Sequence, residues 1–251
     1  MEPRRNTASA STTTPVTVSR VERHQHLYLE HEEGTITLLV SSRSRILDGH
    51  HKSYVLRQVI DAQVERTLFK IHEYFLKKHS IIFASMFTLN PGDAPAEGRS
   101  DEHPVPLPDV KADDFARFLS LFYPSNVIDG DLSTFDEWTS VLRISHRYEF
   151  DEYCKLAVQR LETLATPIDR ILLAREYDIP NWLENAYYDL CVREDSLTYD
   201  EGVRLGMADV ILIAELRQRI RGAVMRVALP PEQRIRWMIF SRINATMTQA
   251  E

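Results

Sequence analysis

Three apolar segments between Thr67 and Pro124 read TLFKIHEYFLKKHSIIFASMF (67–87), HPVPLPDV (103–110) and DDFARFLSLFYP (113–124). In the last segment, apolar residues stand at the i, i+3, i+4 and i+7 spacing of one helix face. These residues are Phe115, Phe118, Leu119 and Phe122. The order of the segments predicts a strand, two short helices, a second strand and a third helix. None of them holds a catalytic constellation, so the pattern is typical of packing.

Short motifs mark the junctions between these segments and continue beyond them. They are Phe69-Lys70-Ile71-His72, His79-Ser80, Met86-Phe87, Leu107-Pro108-Asp109-Val110 and Tyr123-Pro124, followed by Glu137-Trp138, Ser145 to Asp151, Pro167 to Arg170, Trp182-Leu183 and Leu190-Cys191. In this order the motifs resemble those of a BTB/POZ domain, and more narrowly the BTB proteins abundant in mushroom-forming fungi. The resemblance covers residues 27–225 apart from one insertion.

The resemblance implies an α+β protein, with a BTB/POZ fold of a small sheet and a helical cluster followed by an all-helical C-terminal extension. It implies a protein-protein interaction module that dimerises, without enzymatic activity and without a cofactor. Two alternatives stay open, a substrate adaptor of a cullin-based ubiquitin ligase and a transcription-linked scaffold that lacks its own DNA-binding domain. The partners would be a second copy, another BTB protein or a cullin.

Composition shifts along the chain predict its domain boundaries. Residues 1–20 are polar and predict a disordered tail, and residues 21–165 form the BTB/POZ domain. Capping boxes at Thr134-x-x-Glu137 and Thr198-x-x-Glu201 and a first-turn proline at Pro167 predict helix starts. Residues 166–228 carry amphipathic patterns and form the helical C-terminal extension. The remaining residues, 229–251, form a basic tail or a short docked helix.

The N-terminal part of the domain predicts a hairpin and an insertion. Residues 26–32 alternate between apolar and polar, Gly34 supplies a turn, and residues 35–40 are rich in β-formers. Residues 41–66 have no counterpart in the family pattern. They are interpreted as a disordered or marginal loop out of the sheet, and the alternatives are a binding loop or retained non-coding sequence.

Charge is distributed unevenly along a chain whose formal net charge is −7. Residues 91–152 carry 14 acidic side chains against 5 lysines and arginines, whereas residues 215–251 carry 7 arginines against 3 acids. The net negative charge gives no support for direct nucleic-acid binding. The basic arm at 215–251 is either a solvated helix face or a segment that docks on the acidic region in cis or in trans.

Residue types that bind metals, nucleotides or membranes do not occur in the required patterns. Cys154 and Cys191 have no CxxC partner, and they favour a reducing compartment, hence an intracellular location in cytoplasm or nucleus. The nine histidines do not stand at metal-ligand spacing, and the eight glycines form no phosphate-binding loop. No apolar run has the length of a membrane span.

Two sets of residues are candidate contacts. BTB-like domains bury apolar surface of the first helix and the N-terminal strand against a second copy, which here designates Leu27, Leu29, Tyr74, Phe75 and Ile82. Their alternative role is in the monomer core. The cullin-binding relatives carry a hydrophobic-x-Glu element after the second helix, which designates a partner loop of Phe87, Leu89 and Glu97. Glu97 departs from that element because no large apolar residue stands two positions before it.

Overall fold

The computed structural model describes residues 21–29, 34–43, 64–88, 97–224, 232, 235–237 and 239–242. The predicted tail at 1–20 and the central residues 44–63 of the predicted insertion lie outside the described residues. The chain divides into two compact units between Asp131 and Leu132.

The first unit contains a four-stranded mixed sheet. Its strands are β1 (Glu22–Tyr28), β2 (Thr35–Arg43), β3 (Val64–His72) and β4 (Val105–Pro108). They lie in the order β1-β3-β2-β4, with β2 antiparallel to β3 and with the pairs β1–β3 and β2–β4 parallel. The short β4 begins two residues before the Leu107-Pro108-Asp109-Val110 segment that predicted it.

The predicted hairpin of the first two strands is wrong, because β3 lies between them. Gly34 does adopt the left-handed conformation expected of a turn, with φ +72°. The long ladder, however, joins β2 to β3, from Thr35 opposite His72 to Arg43 opposite Val64. Alternating polarity indicates that a segment is a strand. Which strands pair depends on side-chain packing across the sheet, and sequence spacing does not show that packing.

Both ends of the predicted insertion belong to this ladder. Residues 41–43 of β2 pair with residues 64–66 of β3, so these six residues continue the sheet. The last pair, Arg43 opposite Val64, stands directly before residues 44–63. The loop predicted for 41–66 is therefore wrong at residues 41–43 and 64–66, and its remainder lies outside the described residues.

The described residues of the first unit also form three helices, α1 (Glu73–His79), α2 (Ile81–Thr88) and α3 (Ala112–Leu119). Ser80 separates α1 from α2, and its hydroxyl accepts the backbone N–H of Phe83 at 3.1 Å, which caps the start of α2. Phe115 and Phe118 of α3 are buried in the core, where Phe69 and Phe115 pack edge to face with centroids 5.1 Å apart. Phe122, predicted to continue the same helix face, lies after the end of α3 and is half-buried.

The second unit is built from six described helices. They are α4 (Phe135–Arg147), α5 (Asp151–Leu164), α6 (Pro167–Glu176), α7 (Asn181–Val192), α8 (Tyr199–Leu205) and α9 (Met207–Val224). The predicted capping boxes at Thr134 and Thr198 are confirmed, and Thr166 forms a third with Asp169. With the mixed sheet of the first unit, these helices make the protein an α+β protein with a helical C-terminal region.

The described residues between 229 and 251 are helical as well. Ile235 and Ile239 are buried, and the Arg236 guanidinium lies 4.6 Å from the ring centroid of Tyr188 and donates to Asn185 Oδ1 at 2.6 Å. Since Asn185 and Tyr188 belong to α7, the described part of this segment packs on α7.

Removal of residues 44–63, with an Asn-Gly turn joining Arg43 to Val64, is expected to preserve cooperative folding. All the ladder pairs stay in the chain, and Asn-Gly suits a two-residue hairpin connection. Each halving of a connection lowers its closure cost by about 0.6 kcal/mol, so the shortened protein should be as stable as the parent or slightly more stable. Thermal unfolding followed by circular dichroism measures this. Loss of the cooperative transition would mean that 44–63 are structural.

Candidate protein interaction surface

The outer face of α1 and α2 exposes two large apolar side chains. Tyr74 is 60% exposed and Ile81 is 68% exposed. Tyr74 is the second residue of α1, directly after the strand-to-helix junction at His72, and Ile81 is the first residue of α2. The two helices therefore present apolar surface to water directly after the end of β3.

An aromatic cluster around Phe75 holds α1 in place. The half-buried ring of Phe75 stacks on Phe122 at 5.3 Å between centroids and meets Tyr123 edge to face at 5.7 Å. The Tyr123 hydroxyl in turn accepts the backbone N–H of His72 at 2.9 Å and lies 2.9 Å from His72 Nδ1. Because His72 is the N-cap residue of α1, these contacts set the direction in which α1 leaves the sheet.

Positive charge borders the apolar face. The Lys78 ammonium lies 5.4 Å from the ring centroid of Tyr74, within the range of a cation–π contact. Lys77 pairs with Glu73 at 2.5 Å, and Arg99 pairs with the same carboxylate at 3.1 Å. The buried Glu73 therefore joins α1 to the segment before β4, while both lysines stay exposed at the edge of the face.

Side-chain hydrogen bonds to Asp101 hold the edge strand β1 in place. The Asp101 carboxylate accepts the Arg23 guanidinium at 2.7 and 3.1 Å and the Tyr28 hydroxyl at 2.5 Å. Burial of Asp101 opposes its ionisation, but the hydrogen bonds from Tyr28 and Arg23 outweigh it and hold the pKa of Asp101 below its ordinary value. The Leu29 N–H also donates to the carbonyl of Lys70 at 2.9 Å.

The structure separates the five candidate dimer contacts into different environments. Tyr74 and Phe75 lie side by side with ring centroids 5.7 Å apart, while Ile82 is half-buried on α2. Leu27 is buried in the monomer and Leu29 is half-buried, both on the β1 side of the sheet. Sequence reasoning missed Ile81, and the spacing from Tyr74 gave no signal because Ser80, in an extended conformation, separates α1 from α2.

The candidate partner loop is described only at its ends. The half-buried ring of Phe87 packs on Phe83 with centroids 5.6 Å apart, and Glu97 is exposed. Leu89 lies outside the described residues. The residue after Glu97 is Gly98, which is buried and accepts the Thr37 N–H at 2.8 Å, so the C-terminal end of this loop is anchored to β2.

The two cysteines have the surroundings of packing residues. Burial raises the pKa of the Cys191 thiol to about 12 and also raises the pKa of Cys154. Within the described residues, no three His, Cys, Asp or Glu side chains are grouped to hold a metal ion. No helix in the described part of the chain is both long and apolar enough to cross a bilayer.

Comparison with known proteins identifies one domain. No curated protein matches the chain. The family model of the BTB/POZ domain matches residues 59–164, a range that contains all of β3 to α5 and the exposed face of α1 and α2. The chain therefore contains a BTB/POZ domain, which is a protein-protein interaction module.

Proposed function

We propose that this chain acts as an interaction module that self-associates through its BTB/POZ domain, with Tyr74 and Ile81 at the centre of the contact. The observation that carries the proposal is the exposure of these two side chains on adjacent short helices. Phe75 and Ile82, next to these residues in the same helices, and Leu29, directly after β1, are the further contacts of the proposal. Homodimerisation is the form of association that we propose, and the same surface also suits a second BTB protein.

The physical case rests on rigid support for exposed apolar side chains. A tyrosine offers a large contact area at a small cost in side-chain entropy, and binding energy concentrates in such aromatic anchors. The Phe75 cluster holds the backbone of α1 in place, so little order has to be gained on binding. The lysines at the edge remain in water, where they cost little.

The second candidate function is a cullin-ligase adaptor that uses Phe87, Leu89 and Glu97. Exposure of Glu97 beside the anchored Gly98 supports it, because a carboxylate at a fixed position can accept charged hydrogen bonds from a partner. The missing large apolar residue two positions before Glu97 makes this the weaker candidate. A transcription-linked scaffold uses the same dimer surface and has no separate residue in its favour.

The domain organisation belongs to the same proposal. We place the BTB/POZ domain at 21–165, the helical extension at 166–228 and a docked helix within 229–251; the end of the family match at residue 164 supports the first boundary. The two free cysteines support an intracellular location. The narrower resemblance to proteins of mushroom-forming fungi stays a prediction.

The substitution Ile81→Glu is expected to convert the dimer into a monomer at micromolar concentration. It places a charge at the centre of the proposed contact, where a partner would desolvate it, and it should weaken association at least about tenfold. Ile128→Glu is the matched control, since Ile128 is 93% exposed in the loop after α3. Sedimentation velocity of the full chain measures both.

Phe75→Glu is a less selective test, because the Phe75 ring also packs within the monomer. Circular dichroism should show unchanged helicity for Ile81→Glu and Ile128→Glu. If the parent protein stays monomeric at all concentrations, the proposed dimer is wrong. If Ile81→Glu and Ile128→Glu dissociate equally, the contact does not lie at Ile81.

A further inference from the structure

The edge strand β1 does not follow its neighbour β3 residue by residue. Arg23 of β1 pairs with Leu68 of β3. The next pair of the ladder joins Tyr28 to Lys70, so residues 24–27 of β1 face a single residue of β3 and the strand bulges. A bulge takes backbone N–H groups out of the ladder, and each such group needs another acceptor where it is buried.

The side chain of His24 supplies that acceptor. Its Nδ1 accepts the backbone N–H of Leu27 at 3.2 Å and that of His26 at 3.4 Å. The imidazole ring also stacks on Phe69, the β3 residue opposite the bulge, with 4.7 Å between ring centroids. A ring nitrogen that accepts a hydrogen bond carries no proton, so this arrangement requires the neutral imidazole with its proton on Nε2.

Asp101 fixes both ends of the bulge. Its carboxylate accepts the Arg23 guanidinium before the bulge and the Tyr28 hydroxyl after it. Burial of Asp101 opposes its ionisation, but these hydrogen bonds hold its pKa below the ordinary value, so both contacts persist in mildly acidic solution. A change at His24 therefore acts on residues 24–27 between two fixed ends.

The surroundings of His24 favour the neutral ring. Burial lowers the pKa of His24 below its ordinary value of 6.5, the neighbouring His26 lowers it further, and Asp113 in α3 acts in the opposite direction. From β3 the ring meets the uncharged Phe69. The nearby cations of β1 and β3 act on Asp101; they are Arg23 and Lys70.

We propose that the β1 bulge is a pH-sensitive switch, which the neutral ring of His24 closes and the protonated ring opens. The protonated imidazole carries a proton on both nitrogens and accepts no hydrogen bond, so the N–H groups of His26 and Leu27 lose their acceptor. Because the Leu27 side chain is buried in the closed bulge, opening also exposes apolar surface. The switch does not depend on self-association through the α1–α2 face.

The direction of the pH effect follows from the lowered pKa of His24. The folded chain binds the proton less readily than the unfolded chain does. The bulge is therefore fully stabilised above the ordinary histidine pKa of 6.5 and loses stability as the pH falls through the lowered pKa of His24.

Hydrogen exchange of the full chain tests the proposal, with each rate divided by the intrinsic exchange rate at the same pH. In the parent, the protection of residues 22–29 should fall between about pH 7.5 and about pH 5.5, by at most about tenfold per pH unit because one proton is bound. The protection of residues 35–43 in β2 should not change. His24→Asn offers an acceptor oxygen that does not titrate, so residues 22–29 should keep their protection at both pH values.

His26→Asn is the matched control, since His26 is an exposed histidine of the same strand. It should keep the pH response, with its midpoint at slightly higher pH, because His26 lowers the pKa of His24. Nitrogen NMR of the parent gives a readout that needs no variant. The neutral His24 ring should carry its proton on Nε2 and titrate with a midpoint below 6.5.

Several results would overturn the proposal. Equal protection of residues 22–29 at both pH values would do so, and so would the same loss of protection in His24→Asn as in the parent. An equal loss at residues 35–43 would show general acid unfolding instead of a local switch. If His24→Asn is unprotected at both pH values, the ring measurement decides, and a midpoint at or above 6.5 or a proton on Nδ1 refutes the proposal.

Discussion

Gly98→Ala is expected to lower the free energy of unfolding of the first unit by about 2–5 kcal/mol, the sum of backbone strain and overpacking. Gly98 has φ +80°, where a residue with a Cβ is strained. A Cβ built there would lie 2.4 Å from Ile36 Cγ1 and 3.0 Å from Val105 Cγ2. Both neighbours are buried in the sheet, so neither moves freely.

Gly34→Ala is the matched control, because Gly34 has φ +72° and open space where the Cβ would stand. Gly34→Ala should therefore lower the free energy of unfolding by the backbone strain alone, about 1–2 kcal/mol. The difference between the two variants, measured by urea unfolding, isolates the clash with Ile36 and Val105. Equal losses of stability would show that the sheet accommodates the extra methyl group.

Asp209→Ala is expected to destabilise the second unit by about 2–4 kcal/mol. The buried carboxylate accepts both terminal nitrogens of Arg175 at 2.6 Å and the Tyr187 hydroxyl at 2.5 Å. Without it, the hydroxyl of the fully buried Tyr187 loses its acceptor and the guanidinium loses its counter-ion. Partial exposure of Arg175 to water keeps the cost below that of a fully buried pair.

The ion pair between Arg170 and Asp189 supplies the control for this experiment. Its atoms lie 2.7 Å apart, and the Asp189 side chain is 44% exposed, far more than the 6% of Asp209, so Asp189→Ala should cost less, about 1 kcal/mol. Chemical denaturation of both variants gives the comparison. If Asp209→Ala cost no more than Asp189→Ala, the network of Arg175, Tyr187 and Asp209 would not hold α6, α7 and α9 together.

Features that depend on neighbours in the sequence were predictable. The capping boxes at Thr134 and Thr198 need only residues three positions apart, and the tolerated proline at the start of α6 needs only Pro167 itself. The α+β class followed from helix and strand periodicity together with the family motifs. These signals are local, so they can be recognised without knowledge of the tertiary structure.

The exposure of the proposed interaction surface was predictable only in part, because exposure depends on what packs against each face. Tyr74 was singled out and is exposed, whereas Leu27 was singled out as well and is buried in the edge strand β1. The arginine-rich arm shows the same limit. Arg217 counted as one of its charges, but it is buried and donates to the carbonyls of Leu190 and Glu194 at 2.7 and 3.0 Å.

The sequence by itself determined where α4, α6 and α8 begin and which interaction domain the chain contains. Only the tertiary structure decided that β3 separates β1 from β2, that Gly98 must lack a side chain and that β1 bulges opposite β3. The reason is physical. Helix caps and periodicity are set by residues within one or two turns, whereas strand order, close packing and exposure are set by residues such as Ile36 and Gly98 that only folding brings together.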